Sequence, residues 1–145
     1  MIIRSVLAVA ALAIGVTAVV AQGDPIAARK ALMKANGQSA GQGNKFMKGE
    51  EPFDLAKAQA IFANYQKAST DFGKLFPDSS KAGDTAALPA VWENKADFDA
   101  KLAKLGADAK DAAAKVKDEA SFKAAFPEVM KNCGGCHQTY RKRQT

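Results

Sequence analysis

The sequence predicts an all-α protein, an antiparallel four-helix bundle. Three observations favour this fold class. Alanine and lysine are abundant, no run of alternating β-branched residues occurs, and apolar residues recur every three or four positions in stretches bounded by Pro, Gly and Asp. Four such stretches, two of whose three links are short, fit consecutive helices that run antiparallel. About 120 residues suffice for one modest core.

The beginning of the chain is predicted to be a cleaved signal peptide. A short basic start, residues 1–4, leads into an apolar run, residues 5–20, and the small residue Ala21 follows. A retained membrane anchor is the alternative, because the run approaches the length of about 18 residues that a spanning helix needs. The small residue at the end of the apolar run is typical of a cleavage site and favours cleavage. We therefore expect a signal peptide at 1–21, a mature domain at 22–145 without a stable membrane anchor, and a periplasmic location.

The first helix is predicted to begin at Pro25, with Asp24 as its N-cap, and to extend to about Lys48. Three glycines fall within its later part: Gly37, Gly41 and Gly43. Each weakens a helix by about 1 kcal/mol relative to alanine. The same small residues would let a partner helix or a flat cofactor approach closely.

The second helix is predicted to follow a break at 49–52, with Asp54 as its cap. Its apolar stripe consists of Leu55, Ala58, Phe62, Tyr65, Phe72 and Phe76. Pro77 ends this helix, and residues 77–88 form the longest connection.

The third helix is predicted to open at Pro89 and the fourth to follow a turn at Lys117 and Asp118. The stripe of the third helix contains Trp92, Lys95 or Ala96, Phe98, Leu102, Leu105, Ala109, Ala112 and Val116. The stripe of the fourth contains Phe122, Phe126, Val129, Cys133, Cys136 and Tyr140. Pro127 lies inside the fourth helix and is expected to kink it or to delay its regular part.

Residues 133–137, Cys-Gly-Gly-Cys-His, form the attachment motif of a c-type haem. On a helix, Cys133, Cys136 and His137 project from one face, so both thiols can form thioethers while the imidazole reaches the iron as its proximal ligand. The two glycines leave room for the porphyrin edge. We expect one covalently bound haem c.

Other uses of the two cysteines fit the sequence less well. A disulfide is usual in an exported protein, but thioether attachment would use both sulfurs. His137 is the only histidine of the chain, so a zinc site lacks a ligand and bis-histidine iron ligation is impossible within one chain. A thioredoxin-like motif would follow a strand, and none is predicted.

The sixth iron ligand must come from another helix than His137. Met130 precedes His137 on the same helix, which leaves Met33 and Met47, both on the first helix. A methionine thioether would give a low-spin electron carrier, whereas an apolar residue would leave the iron open to small gases. A methionine can equally be a core residue.

The chain resembles the class II cytochromes c, the family of cytochrome c′. The resemblance lies in Cys133–His137 followed by Arg141, in Arg29-Lys30-Ala31-Leu32-Met33, and in Pro89-Ala90-Val91-Trp92. It covers essentially the whole mature chain. The family implies a four-helix bundle with one haem c that is often dimeric.

The resemblance also implies roles for single residues. His137 would be the proximal ligand, Arg29 a charge partner near a haem propionate, and Arg141 a neighbour of the proximal pocket. Met33 falls on the distal position. The family's low-spin branch has an iron-bound methionine there, whereas cytochrome c′ proper usually has an aromatic or aliphatic residue.

Two functions follow. The first is a periplasmic electron carrier of the low-spin branch with His137 and Met33 as axial ligands. The second is a five-coordinate, high-spin binder of nitric oxide or carbon monoxide.

An enzyme is not expected, because a peroxidase needs a distal acid–base residue and no histidine is free for that role. Redox partner proteins are expected, acidic ones if they meet the basic residues 141–143. The resemblance leaves a monomer and a homodimer as alternatives. Binding to nucleic acid is not expected, because a cluster of three basic residues is too small for it.

Overall fold

The computed structural model describes residues 23–143, so the predicted signal peptide and cleavage site lie outside the described residues. The described chain contains five α-helices: α1 (Pro25–Lys48), α2 (Leu55–Phe72), α3 (Ala90–Glu93), α4 (Lys95–Lys115) and α5 (Glu119–Tyr140). Two short 3-10 turns lie between α2 and α3, at Gly73–Leu75 and Asp78–Ser80. Between residues 23 and 143 no helix is long and apolar enough to cross a membrane.

The four long helices form the predicted antiparallel bundle, in which α1 packs beside α2, α2 beside α4, and α4 beside α5. The α1–α5 pair closes the ring. Contacts between α2 and α4 run in opposite chain directions, since Gln59 reaches Ala113 and Val116 whereas Gly73 lies against Leu102. The all-α bundle class is confirmed.

Aspartates cap three of the helices. Asp24 accepts a hydrogen bond from the backbone N–H of Ile26, and Asp54 accepts one from that of Lys57. Asp118 forms a capping box with Ser121. These side chains satisfy N–H groups that a helix start leaves without partners. They fix the starts of α1 and α2 where the sequence predicted them.

The predicted third helix is interrupted. It consists of the single-turn α3 and the long α4, separated by Asn94, whose backbone is not helical (φ −120°, ψ 47°). The indole of Trp92 donates to the carbonyl of Phe76, which ties α3 to the start of the preceding connection, just after the first 3-10 turn. A tertiary contact of this kind leaves no periodic signal in the sequence.

Two further expectations differ from the structure. Leu55, predicted to begin the apolar stripe of α2, is 41% exposed, because the stripe turns inward only at Ala58. Pro127 does not delay the regular part of α5, which is one helix from Glu119 to Tyr140. The capping box at Asp118 supports the turns that precede the proline.

The core is divided into two clusters along the bundle. The first, at the end with the α1–α2 and α4–α5 links, contains buried Phe46, Ala58, Ile61, Phe62, Tyr65, Ala109, Ala112, Val116, Phe122, Phe126 and Val129. The second, at the opposite end, contains Phe76, Val91, Phe98, Leu102 and Tyr140. We call them the phenylalanine cluster and the tryptophan-end cluster, since Trp92 packs against the second.

The helices α1 and α5 touch most closely inside the phenylalanine cluster, at Gly43. A Cβ atom added to Gly43 would lie 2.3 Å from Cζ of Phe126. Phe126 is buried and stacked on Phe122, with ring centroids 5.0 Å apart, so its ring has little space to move away. Of the three glycines that the sequence analysis named in α1, Gly43 is therefore the one that lets a partner helix approach. Around Gly41 an added Cβ would meet nothing within 4 Å.

We expect Gly43→Ala to lower the free energy of unfolding by about 1–3 kcal/mol, because the new methyl group overpacks against Phe126. Gly41→Ala is the matched control on the same helix, and we expect it to raise that free energy by about 1 kcal/mol through helix propensity. Urea unfolding of the two holoproteins measures both. Equal effects of the two substitutions would contradict the close approach at Gly43.

Candidate haem site

The Cys-x-x-Cys-His motif lies in the last two turns of α5. Cys133, Cys136 and His137 are all half-buried, and both cysteines are free thiols. Their spacing on a continuous helix places the three side chains on one face, as the motif predicted. Gly134 and Gly135 are exposed, and a Cβ added to either would meet nothing within 4 Å. The backbone beside the two sulfurs is therefore open to a bulky group.

The motif lies between the two core clusters. Along α5, Val129 and Met130 belong to the phenylalanine cluster, and Cys136 and Tyr140 to the tryptophan-end cluster. In the part of the chain that the structure describes, Cys133 packs with neither of them. The bundle interior thus has its break at the level of the motif.

The register of α1 against α5 brings Met33 to the same level. Phe46 meets Phe122 at 5.8 Å between ring centroids, and Gly43 meets Phe126, so the two helices run antiparallel. In antiparallel helices, residues at equal distances from a contact in opposite chain directions lie at the same level. Met33 is ten residues before Gly43 and Cys136 is ten residues after Phe126, so Met33 lies level with Cys136, next to His137. Met33 is half-buried and packs against neither core cluster in residues 23–143.

The other methionines of the described chain have different places. Met47 packs against the phenylalanine cluster, at the far end of α1 from the motif. Met130 also packs there, and its sulfur lies 3.5 Å from the hydroxyl of Tyr65, which donates to it. Of the two candidates that the sequence left for the distal position, only Met33 is level with His137.

Burial sets the protonation of the motif. It raises the pKa of both Cys133 and Cys136, so the thiols are not thiolates near neutral pH. Burial, followed by the charge of Arg141, lowers the pKa of His137. The imidazole is therefore neutral near pH 7 and has a free lone pair, which an iron ligand needs.

Arg29 is buried at the same end of the bundle, at 5% exposure. Its guanidinium donates to the hydroxyl and carbonyl of Ser80 at 3.3 and 3.1 Å, and to the hydroxyl of Thr85 at 3.4 Å. It also stacks on the ring of Phe76, 4.5 Å from the centroid. Burial lowers its pKa, although Asp24 opposes the shift. Arg29 thus holds the 77–88 connection against α1.

Arg141 follows α5 and joins the same connection. It forms an isolated antiparallel bridge with Ala87, and the N–H of Leu88 donates to the carbonyl of Tyr140. Its own Nε is buried and has no hydrogen-bond partner among the described residues. A buried donor without an acceptor is costly, and an anionic group bound nearby would satisfy it.

These features fit a covalent haem. Two free thiols and a neutral imidazole share one face of α5, the glycines between them leave open space, and the core divides at their level. The orphaned Nε of Arg141 is suited to an anion such as a propionate. No cluster of three or more His, Cys, Asp or Glu side chains suited to a metal ion occurs in residues 23–143.

Comparison with known proteins shows the family of the chain. Residues 24–141 match the family model described as cytochrome C′. A cytochrome c′ of Rhodopseudomonas palustris is 45% identical over 127 residues, covering 87% of each chain. A cytochrome c-556 of the same species is 33% identical over 147 residues, covering 98% of this chain and 99% of its own length. A solved structure of R. palustris cytochrome c′ superposes with a TM-score of 0.82 at 44% identity, covering 86% of this chain and all of the other.

The chain belongs to the cytochrome c′ family. It is a haem protein of this electron-carrying family, and its cofactor is haem c.

Two polar contacts near the motif were missed by the sequence analysis. Asn64 of α2 donates to Asn36 of α1, and Tyr65 donates to Met130. Asn36 occupies an inward position at helical spacing from Met33, which was a usable signal. Its partner could not be identified without the packing of α1 on α2.

Covalent attachment through both cysteines predicts that unfolded holoprotein has no free thiol. Protein made without c-type maturation should react with two equivalents of a thiol reagent after unfolding, since the sequence contains two cysteines. Mass spectrometry after iodoacetamide treatment measures both. A reactive thiol in the unfolded holoprotein would contradict attachment at that cysteine.

Proposed function

We propose that the protein is a periplasmic electron carrier in which His137 and Met33 are the axial ligands of a single haem c attached through Cys133 and Cys136. The observation that supports it best is the antiparallel register of α1 and α5, which sets Met33 level with His137. The half-buried state of Met33, outside both core clusters, also supports it.

Each residue has a defined part in this proposal. When bound, the haem iron supplies one-electron redox chemistry. Cys133 and Cys136 hold the group by thioethers, and the neutral imidazole of His137 binds the metal from α5. Met33 offers a thioether from α1, which raises the reduction potential and excludes other ligands. Partial burial between the two clusters limits the access of water to the site.

Two arginines are proposed to face the cofactor's anionic groups. Arg141 has the stronger case, because its buried Nε lacks an acceptor in the described chain. The guanidinium of Arg29 is already engaged by Ser80 and Thr85. Arg29 would thus act at the propionates through the donor positions that these bonds leave free.

Binding of nitric oxide or carbon monoxide at a five-coordinate iron is the second candidate. A relative with the name cytochrome c′ favours it, as does the fact that Met33 is fixed by contact with neither core cluster. In this candidate Met33 would only shield the open iron position. No enzymatic reaction is proposed, because the site lacks a second histidine for acid–base work.

Met33→Ala separates the two candidates. If Met33 binds the iron, the substitution should convert a low-spin oxidised spectrum to a high-spin one and abolish the sulfur-to-iron charge-transfer band in the far red. Met47→Ala is the matched control on the same helix, because Met47 packs in the phenylalanine cluster. Met47→Ala should lower the free energy of unfolding by about 2–5 kcal/mol and leave the spectrum unchanged.

A wild-type protein that is high-spin and binds carbon monoxide without displacing a ligand would favour the second candidate. An unchanged spectrum in Met33→Ala would also overturn ligation by Met33.

The location and partners are proposed from the sequence. The mature holoprotein is taken to be residues 22–145, released into the periplasm after signal cleavage and exchanging electrons with acidic redox proteins, as a monomer or a homodimer. Intact-mass measurement of the exported protein tests the first part: the mass should equal residues 22–145 plus one haem. A mass that retains residues 1–21 would contradict cleavage.

A further inference from the structure

The inward side of α1 is a seam of residues spaced alternately four and three apart. Its members are Arg29, Met33, Asn36, Ala40, Gly43 and Met47. All of them are buried or half-buried. This spacing is that of the contact positions in helical bundles. Asn36 lies one turn from Met33, so the seam has a neutral polar side chain beside the proposed iron ligand.

Asn36 is paired across the helix interface. The side-chain amide of Asn64, on α2, donates to its side-chain carbonyl at 2.8 Å. Both residues are half-buried. In the described chain this is the one side-chain hydrogen bond between α1 and another long helix, since the other polar ties of α1 reach connecting segments, as those of Arg29 and Lys45 do.

We propose that the Asn36–Asn64 pair is a positioning device that fixes the axial register of α1 and so holds Met33 at the level of His137. The proposal rests on the proposed ligation by Met33 and names the residues that make it possible. A polar pair between two packed helices specifies register, because a shifted arrangement breaks the hydrogen bond that joins the two side chains.

The distance between Met33 and the iron depends on the axial position of α1. Sliding α1 by one helical turn would move Met33 about 5.4 Å along the bundle, farther than an iron–sulfur bond can follow. The contact of Gly43 with Phe126 sets the register of α1 against α5, and the amide pair sets its register against α2, where a shifted arrangement would break the hydrogen bond. Asn36 also belongs to the turn next to Met33, so its constraint acts where the ligand is.

The test compares holoprotein variants by spectroscopy. Asn36→Leu keeps the size of the side chain and removes the hydrogen bond. We expect it to shift the equilibrium between bound and unbound Met33 by about tenfold toward the unbound form, which corresponds to one lost hydrogen bond. The readouts are the sulfur-to-iron band, the high-spin marker bands and the rate of carbon monoxide binding. Asn64→Leu acts on the same bond from α2 and reports on it if Asn36→Leu does not accumulate.

A double variant and a remote control complete the design. Asn36→Leu with Asn64→Leu should show no larger spectral change than either alone, because both remove one interaction. Gln59→Leu removes the hydrogen bonds from α2 to the carbonyls of Ala113 and Val116, at the end of α2 away from the motif, and should leave the spectrum as in the wild type.

The outcomes distinguish this proposal from the proposed function. If Met33→Ala changes the spectrum and the asparagine variants do not, the register assignment is wrong and ligation by Met33 stands. Additive effects of the two substitutions, or an equal change in Gln59→Leu, would also overturn it, since they point to general loosening of the bundle. If Met33→Ala leaves the spectrum unchanged, ligation and register assignment both fail.

Discussion

The close contact between α1 and α5 at Gly43 and Phe126 is the constraint on which the rest of the site depends. It joins the two helices at one end of the bundle, where Phe46 and Phe122 continue the contact. A side chain at position 43 would push the helices apart at the point where they set their register. With that register fixed, the residue levels along both helices follow from the regular rise of an α-helix.

The core is divided into two clusters, and the register of α1 and α5 places the proposed ligands at the level of the division. The phenylalanine cluster and the tryptophan-end cluster bury most of the large apolar side chains, and the attachment motif lies between them. A flat apolar cofactor placed there would complete an interior that the side chains leave divided. This arrangement explains how a chain of modest length forms a bundle around a large prosthetic group.

The end of the bundle beyond the motif is closed by polar ties. Arg29 holds Ser80 and Thr85, Lys30 pairs with Asp84, and residues 86–88 exchange backbone hydrogen bonds with the residues that end α5. The longest connection of the chain is therefore bound to both helices that flank the proposed site. Exposed ion pairs such as Lys30–Asp84 contribute little stability, so the buried guanidinium of Arg29 is the stronger tie.

Local chemistry by itself determined much of this protein. The aspartate caps, Pro25 and the apolar spacing defined the starts of α1 and α2 and the bundle class, because each signal acts within a few residues. The attachment motif likewise needed only its own spacing. Packing between distant segments decided the interruption at Asn94, the exposure of Leu55, the pairing of Asn36 with Asn64, and which of the two methionines of α1 lies level with the attachment motif. Those features depend on which helix faces which and at what height, and a linear pattern does not contain that information.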